Sequence, residues 1–311
     1  GNRRRRSLCL MAVSLEEAID FTSATTGPVT PQQQRAYAKS VRQLIANADR
    51  LSDASARRAV DMMFDLRNEI VGDLAGAGGW DAVRLANSRR VTTAALQRFH
   101  SKYGLQLRQD QRDAWKAGSD GIDSALRAVG IESNVLMPDI DDTLVAVLQG
   151  YSADLVRGIT DEARTKINGT IQRGALGAAS PTQAMAEISD ILVGAGVRHR
   201  QMRRRIKDPR TGRFRREVSS FGLSARAEAQ FRTETGRAYA TAGQARLEMA
   251  EEHVPGLKKR WMTVVDVRTR GAHIEAHGQI RQVNGRYSIG GDLLRFPRDP
   301  AGRPGNTTAG R

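Results

Sequence analysis

The sequence predicts a mainly α protein, with long helices followed by a small C-terminal α+β module. Three observations lead there. Apolar residues recur three and four apart through most of residues 31–253, which is the spacing of one helix face. Val254-Pro255-Gly256 ends that pattern, because proline and glycine together stop a helix. Beyond it come short β-prone runs such as Lys259-Arg260-Trp261-Met262-Thr263-Val264-Val265, which read as strands.

Composition narrows the partners rather than the fold. The 311 residues carry 49 Lys+Arg against 34 Asp+Glu, a formal net charge of +15. Such an excess attracts polyanions: DNA, RNA or acidic protein faces. A basic solvated surface is the plainer alternative. No apolar run reaches the roughly 18 residues of a membrane span. The single cysteine, Cys9, cannot close an internal disulfide, which suits a reducing compartment or one where crosslinks are not needed.

In chain order, residues 1–13 are expected to be a disordered basic tail. Arg3, Arg4, Arg5 and Arg6 repel one another, and the apolar stretch behind them is too short for a signal peptide. Met11 offers an alternative start, with residues 1–10 upstream of it. Residues 14–135 form a helical N-terminal domain. Thr30-Pro31 is a start signal, since threonine caps and proline fits the first turn. Tyr37, Val41, Leu44, Ala48 and Leu51 supply one stripe, and Ser52 opens a second helix. Gly76-Ala77-Gly78-Gly79 breaks that helix. A third is expected from Trp80 to His100, with a shorter one from Gln109 to Gly118.

Residues 136–197 hold the central helices. The first runs from about Asp139 to Arg173, with Asp139, Asp141 and Asp142 favouring its N-terminal dipole. Glu162 and Lys166 are a supportive pair four apart. Ser180-Pro181 caps the next helix, which ends near Gly194. Residues 198–220 are a basic loop or hairpin: Arg198 to Arg216 holds ten Lys/Arg and one acid, Asp208. Asp208-Pro209-Arg210-Thr211-Gly212 reads as its turn. Residues 221–305 are the C-terminal module, opened by a helix from Ser224 to His253. Strands are expected around 279–281, 286–289 and 293–296, with Asn284-Gly285 as a hairpin turn. Residues 306–311 are a tail.

Chemistry-bearing clusters are few. His273 and His277 stand four apart, and on one helical turn they share a face. Asp266 offers a third ligand, so a zinc site is one reading, and with it a metal-dependent hydrolase or toxin on Asp266, His273 and His277; a non-specific DNA-binding protein is a further alternative. The order is His-x-Glu-x-His, not the metalloprotease His-Glu-x-x-His, which turns Glu275 away. In the plainer reading, Asp266 pairs with Arg268 or Arg270 to fix a strand-to-helix turn and the histidines pack there. Glu228 with Arg232 and Glu234 with Arg237 have helical ion-pair spacing. No Gly-x-Ser-x-Gly, Walker A loop or paired CxxC occurs, so no cofactor and no catalytic residue is assigned. The basic run supplies the candidate contacts to DNA phosphates or an acidic partner: Arg198, Arg200, Arg203, Arg204, Arg205, Lys207, Arg210, Arg213, Arg215 and Arg216. Phe214 is its one aromatic, which argues for phosphate contact over base stacking.

The ordered set resembles the phage Mu-type minor head protein family, also called head-morphogenesis proteins. It comprises Arg232-Thr233-Glu234 on a helix, Lys259 to Thr263, then Asp266-x-Arg268-Thr269-Arg270. His273, His277-Gly278 and Leu293-x-Arg295-Phe296-Pro297-Arg298-Asp299-Pro300 complete it. The resemblance covers about residues 220–305 and marks Arg232, Glu234, Trp261, Asp266, Arg268, Arg270, His273, His277 and Gly278 as family-motif positions. Many relatives end in an Asn-Cys-Arg-Cys-like segment. Asn306 to Arg311 has no cysteine, so either the chain is truncated or its lineage lacks that segment.

The resemblance implies a protein carried inside the virion head in several copies, and in the host cytoplasm during assembly. Its implied partners are the portal protein, other capsid or scaffolding proteins and packaged double-stranded DNA, with no membrane during assembly. Head assembly is the implied role, with DNA packaging or genome ejection as extensions.

Overall fold

The computed structural model describes residues 9–13, 30–76, 82–131, 142–194, 203–207, 214–218, 222–263 and 270–303. Among these, the elements in order are β1 (Cys9–Val13), α1 (Pro31–Gly76), α2 (Ala82–Ala128), α3 (Asp142–Ala175), α4 (Pro181–Val193), β2 (Arg203–Lys207) and β3 (Phe214–Val218). There follow α5 (Gly222–His253), β4 (Lys258–Thr263), α6 (Gly271–Ala276), β5 (Ile280–Gln282), β6 (Tyr287–Ile289) and β7 (Asp292–Leu294). The protein is mainly α, with short antiparallel strands gathered towards its C-terminal end.

Two helix starts are fixed by reciprocal caps. Thr30 Oγ1 accepts the Gln33 N–H at 3.3 Å, and Gln33 Oε1 accepts the Thr30 N–H at 2.8 Å. Ser180 and Gln183 repeat the arrangement at α4, with Pro181 directly inside. Each cap satisfies two N–H groups that have no partner within the helix. At its far end α4 stops at Gly194, whose φ of 96° is the left-handed region.

Two compact units are built from interleaved stretches of chain. Among the described residues, the first comprises those of Ala54–Arg108 and Gly150–Phe231. Its core takes Met63 and Ile70 from α1, Phe99, Tyr103 and Leu107 from α2, and Ile159 and Ile167 from α3. Ile188 and Leu192 of α4 and Phe231 of α5 complete it. Tyr103 sits between Phe99 and Phe231, with ring centroids at 4.9 and 4.5 Å. Burying each such side chain is worth about 1.5–3 kcal/mol, so this stripe holds the packing of the five helices.

The second unit comprises Arg4–Asp53, Gln109–Gln149 and Arg232–Arg311. Leu44, Trp115, Ile122, Leu126, Tyr239, Leu247 and Val283 form its main core. A smaller cluster joins Trp261, Ala276, Tyr287, Ile289 and Leu294. Every residue of α5 from Arg232 to Ala240 is buried, so this stretch of helix is enclosed on all faces. Small residues permit the enclosure. A Cβ on Gly118 of α2 would lie 2.4 Å from the Tyr239 carbonyl oxygen, and Tyr239 donates its hydroxyl to the Leu44 carbonyl at 2.9 Å.

The strands form a three-stranded antiparallel sheet in the order β1-β4-β5 and two separate pairs, β2-β3 and β6-β7. Gly290 and Gly291 link β6 to β7 with φ of 54° and 86°. Positive φ at both central positions makes a two-residue hairpin whose twist matches its strands.

Several sequence expectations are corrected. Residues 9–13 are not part of a disordered tail, because their main chain pairs with β4. Ser52 does not open a helix. It lies buried within α1, which runs unbroken through it. The separate helices expected over 80–100 and 109–118 are one helix, α2. Gly104 costs a helix about 1 kcal/mol, less than the flanking buried Phe99, Tyr103 and Leu107 return. Asn284-Gly285 is a turn, with the Gly285 N–H on the Gln282 carbonyl at 2.8 Å. It joins strands of two different sheets, so the hairpin is at Gly290-Gly291 instead.

Candidate functional site: a basic hairpin and a locked C-terminal module

The basic run pairs as two antiparallel strands. Arg203 stands opposite Val218, Arg204 opposite Glu217, Arg205 opposite Arg216, Ile206 opposite Arg215 and Lys207 opposite Phe214. Six of these ten positions carry a cation and one an acid. Arg205 opposite Arg216 sets two cationic residues directly across the ladder. Arg198, Arg200, Arg210 and Arg213, and the turn around Pro209, fall outside the described residues.

The polar residues of α5 form a closed network. Arg232 pairs with Asp53 of α1, a partner 179 positions away that helical spacing does not reveal. Glu234 accepts from Arg237 at 2.5 Å, with both side chains nearly fully buried. Arg237 also donates through Nε to the Arg298 carbonyl at 3.0 Å. Arg298 returns a bond to the Arg232 carbonyl at 3.0 Å. Its backbone is left-handed at φ 66°, an uncommon conformation for a residue with a Cβ. Asp299 secures the bend by accepting from the Arg295 N–H at 2.8 Å and the Ala301 N–H at 3.0 Å.

A second buried group centres on Lys259, which is fully enclosed. Its Nζ donates to Gln244 Oε1 at 3.0 Å and to the Arg295 carbonyl at 2.7 Å, and lies 5.3 Å from the Tyr287 ring centroid. Burial, and then the nearby Arg295 charge, pull its pKa down to about 8. Those carbonyl partners offset part of the cost of burying the ammonium.

His273 and His277 act separately. The His273 ring stacks on Trp261 at 6.0 Å. Burial, helped by the Arg270 charge, lowers its pKa. His277 lies beyond the last turn of α6, and its Nδ1 accepts the Thr263 N–H at 3.0 Å. Thr263 also donates its hydroxyl to the His273 carbonyl at 3.1 Å and accepts from the Trp261 indole at 3.1 Å. Both histidines thus fasten α6 to β4. Gly278 follows with φ 85° and donates its N–H to the Trp261 carbonyl at 2.8 Å. Arg270 is the N-cap residue of α6. Asp266 and Arg268 lie outside the described residues. Among the described residues no three His, Cys, Asp or Glu side chains gather where a metal ion could be held.

One cleft of about 200 Å³ is present in the first unit, lined in part by His100, Arg157, Thr160, Asp161 and Arg164. Its arginines are answered locally, Arg157 by Asp154 at 3.4 Å and Arg164 by Asp161.

The hairpin, the enclosed helix, β4 and α6 follow one another in the segment that matches a known family. Residues 191–290 fit the model of the phage Mu protein F like protein family. This segment is similar to the phage Mu F-like family. A search of curated proteins and one of solved structures each returned no match. The Mu F-like segment holds Arg232, Glu234, Trp261, Arg270, His273, His277 and Gly278, which the structure places in packing and hydrogen-bonding roles. Sequence reasoning missed Asp53, Gly236 and Gln244 as parts of this framework, and had Lys259 only as the first residue of the Lys259–Thr263 run. Gly236 inside Arg-Thr-Glu-Thr-Gly-Arg was the one visible signal, a glycine where a helix has no local use for it. Among the described residues, no helix is long and apolar enough to cross a membrane.

Proposed function

We propose that this chain is a minor head protein of a tailed bacteriophage, carried in several copies inside the head near the portal and present in the host cytoplasm during assembly. Its role is structural: it joins the portal and other capsid or scaffolding proteins to the packaged double-stranded DNA, and serves head assembly together with packaging or ejection of the genome. The Mu F-like match over residues 191–290 carries this reading, because the matched segment includes the basic hairpin. The net charge of +15 supports a polyanion as partner.

Phosphate contacts reveal themselves through salt. Each lysine or arginine that neutralises a phosphate adds about 0.9 to the slope of log affinity against log salt. Replacing Arg203, Arg204, Arg205, Arg213, Arg215 and Arg216 by glutamine should lower duplex affinity and flatten that slope, without favouring any sequence. An unchanged slope removes DNA as the hairpin's partner and leaves an acidic protein face. The capsid role is tested apart from this, by quantifying the chain in purified heads and portal-containing precursors. Its absence from both overturns the assignment.

A further inference from the structure

The N-terminal half of α1 carries a second cationic surface, within the second unit. Leu44 and Ala48 are buried in that unit's core, with Tyr37, Ile45 and Leu51 packed against it. These positions fix the inward side of the helix. At about 100° per residue, Arg35, Lys39, Arg42 and Arg50 fall within an arc of about 80° on the opposite side. All four are exposed, as are Gln32, Gln43 and Ala46 beside them. At about 1.5 Å per residue the four cations extend over about 22 Å.

Between Pro31 and Ala48, α1 contains no Asp or Glu. Asp49 borders the stripe and is half-buried, and Asp53 is taken by Arg232. Among the described residues none of the four cations has an acid within ion-pair distance. A face that meets only water looks different in this molecule. On α3, Arg157 is paired with Asp154, Arg164 with Asp161 and Lys166 with Glu162, three or four positions apart. That mixture of signs is the pattern of a solvated helix. The α1 stripe forgoes such pairs over about four turns.

The make-up of the stripe selects among anions. Protein interfaces are centred on apolar or aromatic side chains, and single strands are held by stacking on aromatic rings. The stripe offers neither, since its uncharged members are Gln32, Gln43 and Ala46. Cations and amides are the groups that contact phosphate oxygens without reading sequence. We propose that this face of α1 is a contact surface for the phosphate backbone of duplex DNA, separate from the basic hairpin. It shares with the function proposed above only the choice of polyanion.

The test compares two full-length variants of equal net charge. One carries Arg35→Gln, Lys39→Gln, Arg42→Gln and Arg50→Gln. The other carries Lys102→Gln, Arg157→Gln, Arg164→Gln and Lys166→Gln, at cations that already hold acidic partners. All eight side chains are exposed, so the circular dichroism melts of both variants should match the parent's. Duplex affinity is then measured from about 50 to 200 mM salt. The stripe variant should lose at least about tenfold in affinity at the lower salt. Its slope of log affinity against log salt should fall by about 3 to 4, since each phosphate contact adds about 0.9. The paired-cation variant should change that slope by less than about 1. Equal slopes in the two variants overturn the proposal, whatever neutralising the hairpin does. A hairpin variant that binds like the parent, beside a stripe variant that does not, removes the hairpin and leaves the stripe standing. Polyglutamate that displaces duplex from the parent at equal charge concentration hands the face to an acidic protein, and also overturns the proposal.

Discussion

The guanidinium of Arg298 occupies the space that a side chain at position 236 would need: a Cβ on Gly236 would lie 1.0 Å from Arg298 Nη1. The arginine cannot swing aside cheaply, because the same nitrogen donates to the Arg232 carbonyl. Gly236→Ala should therefore destabilise the protein by about 3 kcal/mol or more, combining overpacking with a displaced buried cation. Urea denaturation measures the loss. Arg298→Ala added to Gly236→Ala should cost much less than the sum of the two single changes.

Lys259 sets a pH dependence with a defined sign. Its folded pKa, about 8, lies below the ordinary 10.5. Between these values the unfolded chain binds more protons, so this group's contribution to stability rises with pH. The gain is complete above 10.5 and is lost as pH falls through about 8. Stability measured at pH 7.5 and pH 9.5, in the parent and in Lys259→Met, isolates it. The parent should gain relative to the variant as pH rises. The comparison also cancels the tyrosines: burial raises the pKa of Tyr37, Tyr103, Tyr239 and Tyr287, which opposes stability at high pH.

Tyr103 points a hydroxyl into the first unit's core, where it has no hydrogen-bond partner among the described residues. A buried polar group left unsatisfied costs about 1–3 kcal/mol. Tyr103→Phe should keep the ring contacts with Phe99 and Phe231 and leave stability unchanged or raise it by about 1 kcal/mol. A thermal melt showing a clear loss would reveal a partner for that oxygen.

Metal removal should change nothing in the C-terminal module, because His277 is occupied by Thr263 and His273 by Trp261. Overnight chelation should leave the melting temperature and the elemental zinc content of the protein as they were. His277→Ala should still weaken the protein, by about 1 kcal/mol, through loss of the bond from the Thr263 N–H. A stoichiometric metal lost on chelation would restore the reading in which Asp266 joins the two histidines.

Local chemistry was legible and distant pairing was not. Thr30-Pro31 and Ser180-Pro181 announced their helices because a cap depends on residues three apart. The Glu162–Lys166 bond, 2.8 Å long, was legible for the same reason. Within the site, Glu234–Arg237 could be read from spacing, but Arg232–Asp53 could not. Helix breaks were over-read at Ser52 and between His100 and Gln109, since burial against distant helices outweighs a weak local propensity. The β1–β4 ladder joins residues some 250 positions apart, a separation at which no periodicity operates. For His273 and His277 the spacing left a shared ligand face and separate packing roles both open, and the fold gives each its own contact, Trp261 and Thr263.

The enclosed stretch of α5 bears on how such a gene can be recombined. Residues 191–290 look transferable on paper. Lifted out alone, they would take Arg232 away from Asp53, Tyr239 from Leu44 and Gly236 from the arginine seated on it. A chimaeric chain that inherits this stretch must inherit its distant complements too, or acquire new ones. The boundary that matters for grafting or heterologous expression is therefore drawn in three dimensions, not at the ends of an alignment.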